Sequence, residues 1–428
     1  MQLVVIAGGL GERLARNGVT LPKILLKCQG KTLLERIIEE AEHEKFTSIL
    51  FCLGHKSDEI VHVLNGLSPN IEVKIYIENN RLGTLGALVQ SIQELESVFA
   101  VVLGDLLIFN TNLGGLAHKF LEYNDDALAL IKNSVHPNDS DLVNVSATGM
   151  INQISKYPHK ENISSFSLSG VYVLKKSVLS ELICDSPADL ADYLAKSISE
   201  KSISMRGIFH QGFIKDLGTT ERLRESENIC LAPETRLSDE SLVIFDRDGT
   251  LIENVPYLGD KEKIELLSHS RELGQVSTEN FDYIAIASNQ PGIARGDLTI
   301  ESVEEINALV CEKIFGSYSR NVLVKYCPHH PDKGFPGERV HLKRNCFCRK
   351  PNPGLLLDIL DVFKTRAQNS LFVGDSISDL VAAEKVAINW VHLSHDCQGS
   401  NSIHPECFKG ICASSGNITA ILKRENSK

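Results

Sequence analysis

Nowhere in the 428-residue chain is there a run of the roughly 18–20 apolar residues that a helical membrane span needs, so no such span is expected. The first residues, MQLVVIAGG, carry no basic segment and read as a buried strand rather than a secretory signal, which makes the expected location cytoplasmic. Positive charge is not in excess. With 44 Lys+Arg against 55 Asp+Glu, the formal net charge is −11, which argues against broad binding to nucleic acid or to an anionic membrane. Eleven cysteines are scattered without the even, compact framework of a disulfide-stapled domain, so most are expected to be reduced and buried. Internal repeats and low-complexity tracts are also missing.

What is present is globular: 43% hydrophobic and 23% charged residues, in a chain long enough for two or three domains. Apolar runs recur at 3–8, 48–54, 98–105, 241–246, 283–289 and 371–375, and helical patterns lie between them. In KTLLERIIEEAEH, Leu33, Leu34, Ile37, Ile38 and Ala41 share one helical face. Such alternation predicts α/β architecture with largely parallel sheets. CLAPETRLSDES (230–241) is polar, proline-bearing and aperiodic, which sets a first domain at 1–228, a linker at 229–241 and a second domain at 242–428. Several strands end in small or acidic residues, and in open α/β sheets ligands bind beyond those ends.

In the second half, VIFDRDGTLIE (243–253) delivers Asp246 and Asp248 from a strand into a turn at Gly249. An isolated DxD is more often turn chemistry, but three later stretches join it. IASNQPG (286–292) ends in Ser288 and Asn289, RKPNPG (349–354) supplies Lys350 before an apolar helix, and LFVGDSISDL (371–380) brings Asp375, with Asp379 four residues on. Together these are a nucleophile, an acid, a hydroxyl, a cation and a metal-binding carboxylate, the parts of a phosphoryl-transfer site. The set resembles the haloacid dehalogenase superfamily of phosphatases over most of 241–395. That resemblance implies attack on phosphorus by Asp246, proton transfer by Asp248, and Mg²⁺ between Asp246, the Asp248 carbonyl and Asp375. It gives Ser288 and Lys350 the phosphoryl oxygens.

Between those segments, CPHHPDKGFPGERVHLKRNCFC (327–348) places Cys327, His329, Cys346 and Cys348 as C-x-H and C-x-C pairs bracketing one loop. Three thiolates and an imidazole make a closed structural Zn²⁺ set, and a metal clip can order a loop with little core of its own. Because Cys348 adjoins Arg349 and Lys350, ordering that knot would also fix the two cations. His330 and His341 read as solvated loop residues. With this loop, and with PYLGD and SNQPGIARG, the half looks like the D,D-heptose 1,7-bisphosphate 7-phosphatases; histidinol-phosphate phosphatases share much of the pattern. About forty residues separate the first two motifs, too few for a large cap, so the zinc loop is expected to shape a capless pocket. Asn254, Asn289 and Arg349 are expected substrate contacts.

The first half carries VIAGGLGERLA (5–15), LPKILLK (21–27), ENNRLGTLGAL (78–88), VVLGDLLIF (101–109) and FIKDLGTTERL (213–223). Glycines straight after a buried strand let backbone approach a phosphate or base closely, although a glycine-rich loop alone is a weak signal. Jointly these segments resemble the sugar-1-phosphate nucleotidylyltransferases over about 1–228, which implies a Rossmann-like sheet. The resemblance places Mg²⁺ on Asp105 and Asp216, gives Arg13 and Lys23 the α-phosphate as pyrophosphate leaves, and lines the base and ribose with Gly8, Gly9, Gly11, Gly83 and Thr84. One departure is visible: the family often has a Glu-Lys pair after its middle strand, whereas this chain has ISKYPHKEN (154–162), leaving Lys156 and Lys160 as alternative sugar-phosphate ligands.

The two resemblances describe consecutive steps, a phosphatase yielding heptose 1-phosphate and a transferase consuming it, with GTP the expected nucleotide and an NDP-heptose the product. Two other readings stay open. Both chemistries could act on another sugar or polyol phosphate with CTP, ATP or UTP, or the first half could be a non-catalytic nucleotide-binding module. The tail DCQGSNSIHPECFKGICASSG (396–416) matches no compact metal site and is expected to be ordinary loop.

Overall fold

The structure is a computed structural model that describes residues 1–9, 20–134, 140–146, 148–156, 166–226, 236–393, 411–413 and 422. The chain forms two compact units, Met1–Arg236 and Leu237–Lys428. Among the described residues, no helix is long and apolar enough to cross a membrane.

The first unit is built on β1 (Gln2–Ala7), the short hairpin β2 (Lys27–Cys28) and β3 (Lys31–Thr32), β4 (Ser48–Leu53), β5 (Glu72–Ile77), β6 (Val98–Leu103) and β7 (Leu106–Phe109). It continues with β8 (Ala127–Asn133), β9 (Leu142–Val145), β10 (Ile151–Ser155), β11 (Phe166–Lys175), β12 (Met205–Phe209) and β13 (Phe213–Asp216). The main sheet runs β10-β9-β11-β6-β1-β4-β5, with β8 also pairing β11 and β12 pairing β8. Strands β1, β4, β5 and β6 pair in parallel, but β11 runs antiparallel to β6, β8 and β9. The sheet is therefore mixed, which corrects the expectation of largely parallel pairing in this half. The difference follows from four strands crowded into 127–175, between which no described helix of an α-helical turn or more intervenes to make a crossover.

Central strands β4 and β6 are buried almost throughout, whereas edge strand β5 exposes Glu72 and Lys74 to water, as an unpaired edge requires. The helix Leu33–His43 buries Leu33, Leu34, Ile37, Ile38 and Ala41, as its periodicity predicts, and starts from a Thr32–Glu35 capping box.

In the second unit β14 (Leu242–Phe245), β15 (Tyr283–Asn289), β16 (Leu323–Cys327), β17 (Ser370–Gly374), β18 (Asn389–Leu393) and β19 (Ile411–Ala413) form one sheet, β16-β15-β14-β17-β18-β19. Every pairing in it is parallel. Helices Ser270–Asn280, Ile300–Phe315, Gly354–Phe363 and Ile377–Glu384 lie in the crossovers. The expected loop in the tail is corrected at Ile411–Ala413, which adds an edge strand to β18; the remainder of 396–416 lies outside the described residues. Three apolar-to-small residues sufficed for this edge, too short a run for periodicity to reveal.

In both sheets the chain order reverses beside one strand, between β4 and β6 at β1 and between β15 and β17 at β14. The carboxyl ends of strands around each reversal open a crevice.

Candidate active sites

Asp246 follows β14 directly, Ser288 sits near the end of β15 and Asp375 follows β17, so three neighbouring parallel strands aim these side chains at one end of the sheet. A cavity of about 340 Å³ lies there, lined among others by Asp246, Asp248, Asn254, Ser288, Lys350 and Asp375. Lys350 is only 3% exposed, and its ammonium reaches Asp246 Oδ1 at 2.5 Å, Asp379 Oδ1 at 2.6 Å and the Ala287 carbonyl at 2.7 Å. One cation thus faces two buried carboxylates. Burial pushes the Asp246 carboxyl up to about 8, with Lys350 pulling it down and Asp379 and Asp248 adding to the rise. Burial also works against the charge on Lys350, but the two aspartates outweigh it and hold the ammonium above its ordinary value.

Asp248 is held differently. The guanidinium of Arg247, 1% exposed, donates to both Asp248 oxygens at 2.9–3.2 Å and to Asn307 Oδ1 at 2.8 Å. Gln290 donates to Asp248 at 2.8 Å and to Ser288 Oγ at 2.7 Å, while the Ser288 hydroxyl lies 3.3 Å from Asp248. Gly249 has φ +85°, and a Cβ there would fall 2.1 Å from Asp375 Oδ2. Only glycine lets this turn and that carboxylate share the space.

Oxygens of Asp246, Asp375 and Asp379 lie within 4.8 Å of one another. An all-oxygen carboxylate set of this kind fits a hard divalent cation such as Mg²⁺. Asp379 is noted in the sequence beside Asp375 but given no role, and Arg247 and Gln290 are not singled out. Asp379 stands within LFVGDSISDL, but as the third residue of a helix whose Ser376 cap it completes it reads as capping chemistry. Asn289 spends its amide on the backbone of Lys350, accepting from its N–H at 3.1 Å and donating to its carbonyl at 3.0 Å, so it positions Lys350. Arg349 donates to the His329 carbonyl at 3.4 Å, and it is not among the residues lining the cavity.

Cys327, His329, Cys346 and Cys348 converge. Their sulfurs lie 3.4–3.5 Å apart, and His329 Nδ1 is 3.3 Å from Cys348 and 3.6 Å from Cys327. Those separations are far beyond a disulfide and close to the ~3.8 Å edges of a tetrahedron with Zn–S bonds of about 2.3 Å. The Cys348 thiol is drawn down to about 5, first by its hydrogen bond with Cys327. Its hydrogen bond to Cys348 pushes Cys327 up, and burial does the same to Cys346. Protein groups alone thus favour one thiolate; a central cation is what would hold three. His330 packs edge-on against Phe335 at 5.3 Å, and His341 is exposed, so neither joins the cluster.

In the first unit a cavity of about 620 Å³ opens at the carboxyl ends of β1 and β6. Gly8, Gly9, Lys23, Gly83, Thr84, Asp105 and Asp216 all line it. Pairing of β7 with β13 sets Leu106 opposite Asp216, and the Leu217 N–H donates to the Asp105 carbonyl at 2.9 Å, which brings the two acidic segments together. Lys23 Nζ lies 2.6 Å from Asp105 Oδ2, and Asp216 pairs with Arg222 while accepting from the Gly218 N–H at 2.5 Å. Two such carboxylates fit Mg²⁺ held jointly by protein and substrate phosphates. Gly11, Arg13 and Lys160 lie outside the described residues.

Two lining residues escaped the sequence reading, Glu78 and Arg81, although both stand in ENNRLGTLGAL. Glu78 Oε1 would sit 2.4 Å from a Cβ on Gly8, so glycine there admits the carboxylate. Burial raises the Glu78 pKa, partly offset by Arg81. Thr84 accepts from the Leu190 N–H at 2.8 Å and donates to Asp189 at 3.0 Å. Lys156 is ringed by Asp141, Asp192 and Asp189 at 3.0–3.3 Å, so carboxylates meet it where the family's Glu-Lys pair is missing.

Comparison with known proteins matches these units to two groups. The Nucleotidyl transferase family profile matches residues 2–231, and a HAD-hydrolase-like profile matches 347–392. The D-glycero-beta-D-manno-heptose-1,7-bisphosphate 7-phosphatase of Pseudomonas aeruginosa is 34% identical over 148 residues, 34% of this chain and 76% of that protein. The D-glycero-alpha-D-manno-heptose-1,7-bisphosphate 7-phosphatase of Photorhabdus laumondii is 30% identical over 148 residues, 34% of this chain and 78% of that protein. Among solved structures, HddC from Yersinia pseudotuberculosis aligns with 53% of this chain and 97% of its own, at 24% identity and a TM-score of 0.44. With one profile over more than half its length and a 34% identical relative three-quarters covered, the chain belongs to the nucleotidyl transferase family and also to the D-glycero-D-manno-heptose-1,7-bisphosphate 7-phosphatases.

Proposed function

We propose that the chain is a bifunctional enzyme of nucleotide-sugar synthesis that removes the 7-phosphate of D-glycero-D-manno-heptose 1,7-bisphosphate and then couples the heptose 1-phosphate to a nucleotide, GTP by preference. The observation that carries this reading is the meeting of Asp246, Asp248, Ser288, Lys350 and Asp375 in one cavity, in a chain whose other unit holds Asp105, Asp216 and Lys23 around a second.

In the phosphatase step an Asp246 carboxylate oxygen forms a bond to phosphorus as the bond from phosphorus to the sugar oxygen breaks. Asp248 supplies the proton that the departing oxygen needs. Water then attacks the aspartyl-phosphate, Asp248 takes the proton from that water, and inorganic phosphate leaves with Asp246 restored. Ser288 and Lys350 hold the phosphoryl oxygens and offset charge developing on them. Asp246, the Asp248 carbonyl and Asp375, with Asp379 beside them, would hold Mg²⁺, whose contribution is to neutralise phosphoryl charge. Cys327, His329, Cys346 and Cys348 would hold Zn²⁺ in a structural role.

In the transfer step an oxygen of the sugar 1-phosphate attacks the α-phosphorus of the nucleotide, and pyrophosphate leaves. Lys23 and Arg13 offset charge on the α-phosphate, while Asp105 and Asp216 would hold the second Mg²⁺. Glu78 favours guanine: a carboxylate offers two acceptors side by side, and guanine alone among the four bases presents adjacent N1–H and N2–H donors to match.

The test incubates the full chain with Mg²⁺, heptose 1,7-bisphosphate and each nucleoside triphosphate separately, following phosphate and pyrophosphate together. Phosphate first, then pyrophosphate with GTP, is the expected outcome. Asp246→Asn should abolish phosphate release and spare pyrophosphate release from heptose 1-phosphate. Loss of both products in that variant would defeat the reading of two independent sites.

A further inference from the structure

The phosphatase cavity has a mouth that its reacting groups do not explain. The segment 254–258 lines it, and Tyr257 within that segment is 41% exposed with φ +52°. A bulky residue seldom occupies that left-handed region unless its surroundings hold it there. Backbone hydrogen bonding nearby, from the Val255 N–H to the Glu253 carbonyl at 3.0 Å, does not reach Tyr257.

Contacts from outside the loop do. The Arg295 guanidinium carbon lies 4.4 Å from the centroid of the Tyr257 ring and 4.0 Å from that of Phe335. Its Nε donates to Asp297 at 2.9 Å, which fixes the plane of the group. Phe335 belongs to the loop between the two halves of the Cys/His cluster, and it is steadied in turn. Lys343 Nζ is 4.2 Å from its ring, and Glu338 accepts from the N–H groups of Gly334 and Phe335 at 2.8 and 3.0 Å. Backbone joins the same two segments: the Arg339 N–H donates to the Ala294 carbonyl at 2.9 Å, and Leu342 packs on the small core of Ile293, Leu298 and Val303. A series of contacts therefore runs from the loop that the Cys/His cluster brackets, through Phe335 and Arg295, to Tyr257 at the cavity mouth.

We propose that Arg295 is a positioning residue that lets the metal-clipped loop set Tyr257 as a platform for the sugar part of the substrate, away from the reacting phosphoryl group. Resting on the phosphatase reading above, this names where the substrate's carbon chain is recognised. The C–H face of a sugar carries slight positive charge and the face or edge of an exposed phenol ring complements it, whereas a bare phosphoryl donor has nothing to place there. Arg295 does not line the cavity, so its effect passes through Tyr257. Arginine suits the position because a planar delocalised cation can meet two rings, which a lysine ammonium does less well.

The test uses the full chain with Arg295→Gln and Arg295→Lys. Steady-state kinetics compare heptose 1,7-bisphosphate with acetyl phosphate, which presents a phosphoryl group without a sugar. Arg295→Gln should raise KM for the bisphosphate roughly three- to tenfold with kcat nearly kept, and the rise should exceed that for acetyl phosphate several-fold. Arg295→Lys should recover part of the loss. Equal losses on both substrates, or a fall in kcat alone, would overturn the proposal.

Hydrogen–deuterium exchange supplies a readout independent of substrate. Arg295→Gln should speed exchange across 254–259 roughly threefold or more while 242–245 stays protected, and so should removal of bound metal from the wild-type chain. Unchanged exchange at 254–259 in the variant would refute the contact with Tyr257. Acceleration in the variant but not on metal removal would refute the link to the Cys/His loop. A wild-type chain inactive on the bisphosphate would instead count against the phosphatase substrate, and the exchange result would still decide the role of Arg295.

Discussion

Replacing Lys350 with methionine puts the charge arrangement of the phosphatase site to a quantitative test. The side chain is similar in length and apolar, so the change removes the ammonium with little loss of packing. Left behind are Asp246 and Asp379, both buried, with no cation within the 2.5–2.6 Å that Lys350 now occupies. Deleting one partner of a buried ion pair costs about 3–5 kcal/mol, because the remaining charge keeps its desolvation cost. Burial already raises Asp246 to about 8, so that carboxyl takes up a proton readily and the lower end, about 3 kcal/mol, is expected.

The single tryptophan makes the assay specific. Trp390 lies in β18, buried, with its Nε1 donating to Glu384 at 2.9 Å, so its fluorescence reports the second unit. In Mg²⁺-free buffer the urea midpoint of that transition should fall by about 1 M, taking a denaturant slope of about 2.5 kcal/mol/M. Adding Asp379→Asn to the same chain should restore more than half of the loss, since one buried charge then disappears. A Lys350→Met chain within 1 kcal/mol of wild type, or a double variant no better than the single, would refute the argument that Lys350 balances two buried carboxylates.

Two further outcomes follow from single positions. Gly249→Ala would place a Cβ 2.1 Å from Asp375 Oδ2 at φ +85°; a displacement of order 1 Å in that carboxylate should cut phosphate release about 100-fold while pyrophosphate release stays intact. Equal loss of both products would show a general folding defect instead. In the first unit, His210 Nδ1 faces the Gln211 carbonyl at 2.8 Å, while the buried Nε2 has no partner among the described residues, and burial lowers its pKa to about 4. With the folded value depressed below the ordinary 6.5, the unfolded chain binds the extra proton. Stability around β12 should therefore fall as pH drops from about 6.5 to 4, by no more than about 3 kcal/mol. Native-state exchange of 205–216, corrected for intrinsic rates, should show this slope and lose it in His210→Gln.

Much of the phosphatase site is legible in sequence because three of its residues mark the ends of apolar strands. Asp246 and Asp375 each follow the last strand residue, and Ser288 is the next to last of β15, so strand recognition alone aims them together. What sequence could not reveal depends on contacts between distant segments. Arg247 gains its place only from Asn307, sixty positions away, whose Oδ1 accepts from its Nη1. Asn289 reads as a substrate contact until its amide is seen to clasp the Lys350 backbone. Glu78 and Arg81 follow an exposed edge strand, where charge is unremarkable, and only the approach of Gly8 makes Glu78 part of a cavity wall. The mixed pairing of the first sheet was hidden for a related reason. Strand direction in 127–175 is set by the short connections between strands, which side-chain periodicity does not encode.

The two sites share a layout of charge that their unrelated segments do not suggest. In each, a lysine lies against a carboxylate expected to face a cation: Lys23 at 2.6 Å from Asp105, and Lys350 at 2.5 Å from Asp246. With substrate absent, that pairing offsets part of the negative charge of an acidic, partly desolvated crevice. A phosphate accompanied by a divalent cation brings charges of both signs, so each lysine can turn from carboxylate to phosphoryl oxygen without leaving an unpaired charge behind. A phosphate arriving by itself would have to take the lysine and strand the carboxylate, and in a buried setting such as that of Asp246 a stranded charge is costly. Both cavities are therefore matched to a phosphate and its cation jointly more than to either by itself. On the roles proposed above, two similar lysine-carboxylate pairs would then serve hydrolysis in one unit and nucleotidyl transfer in the other.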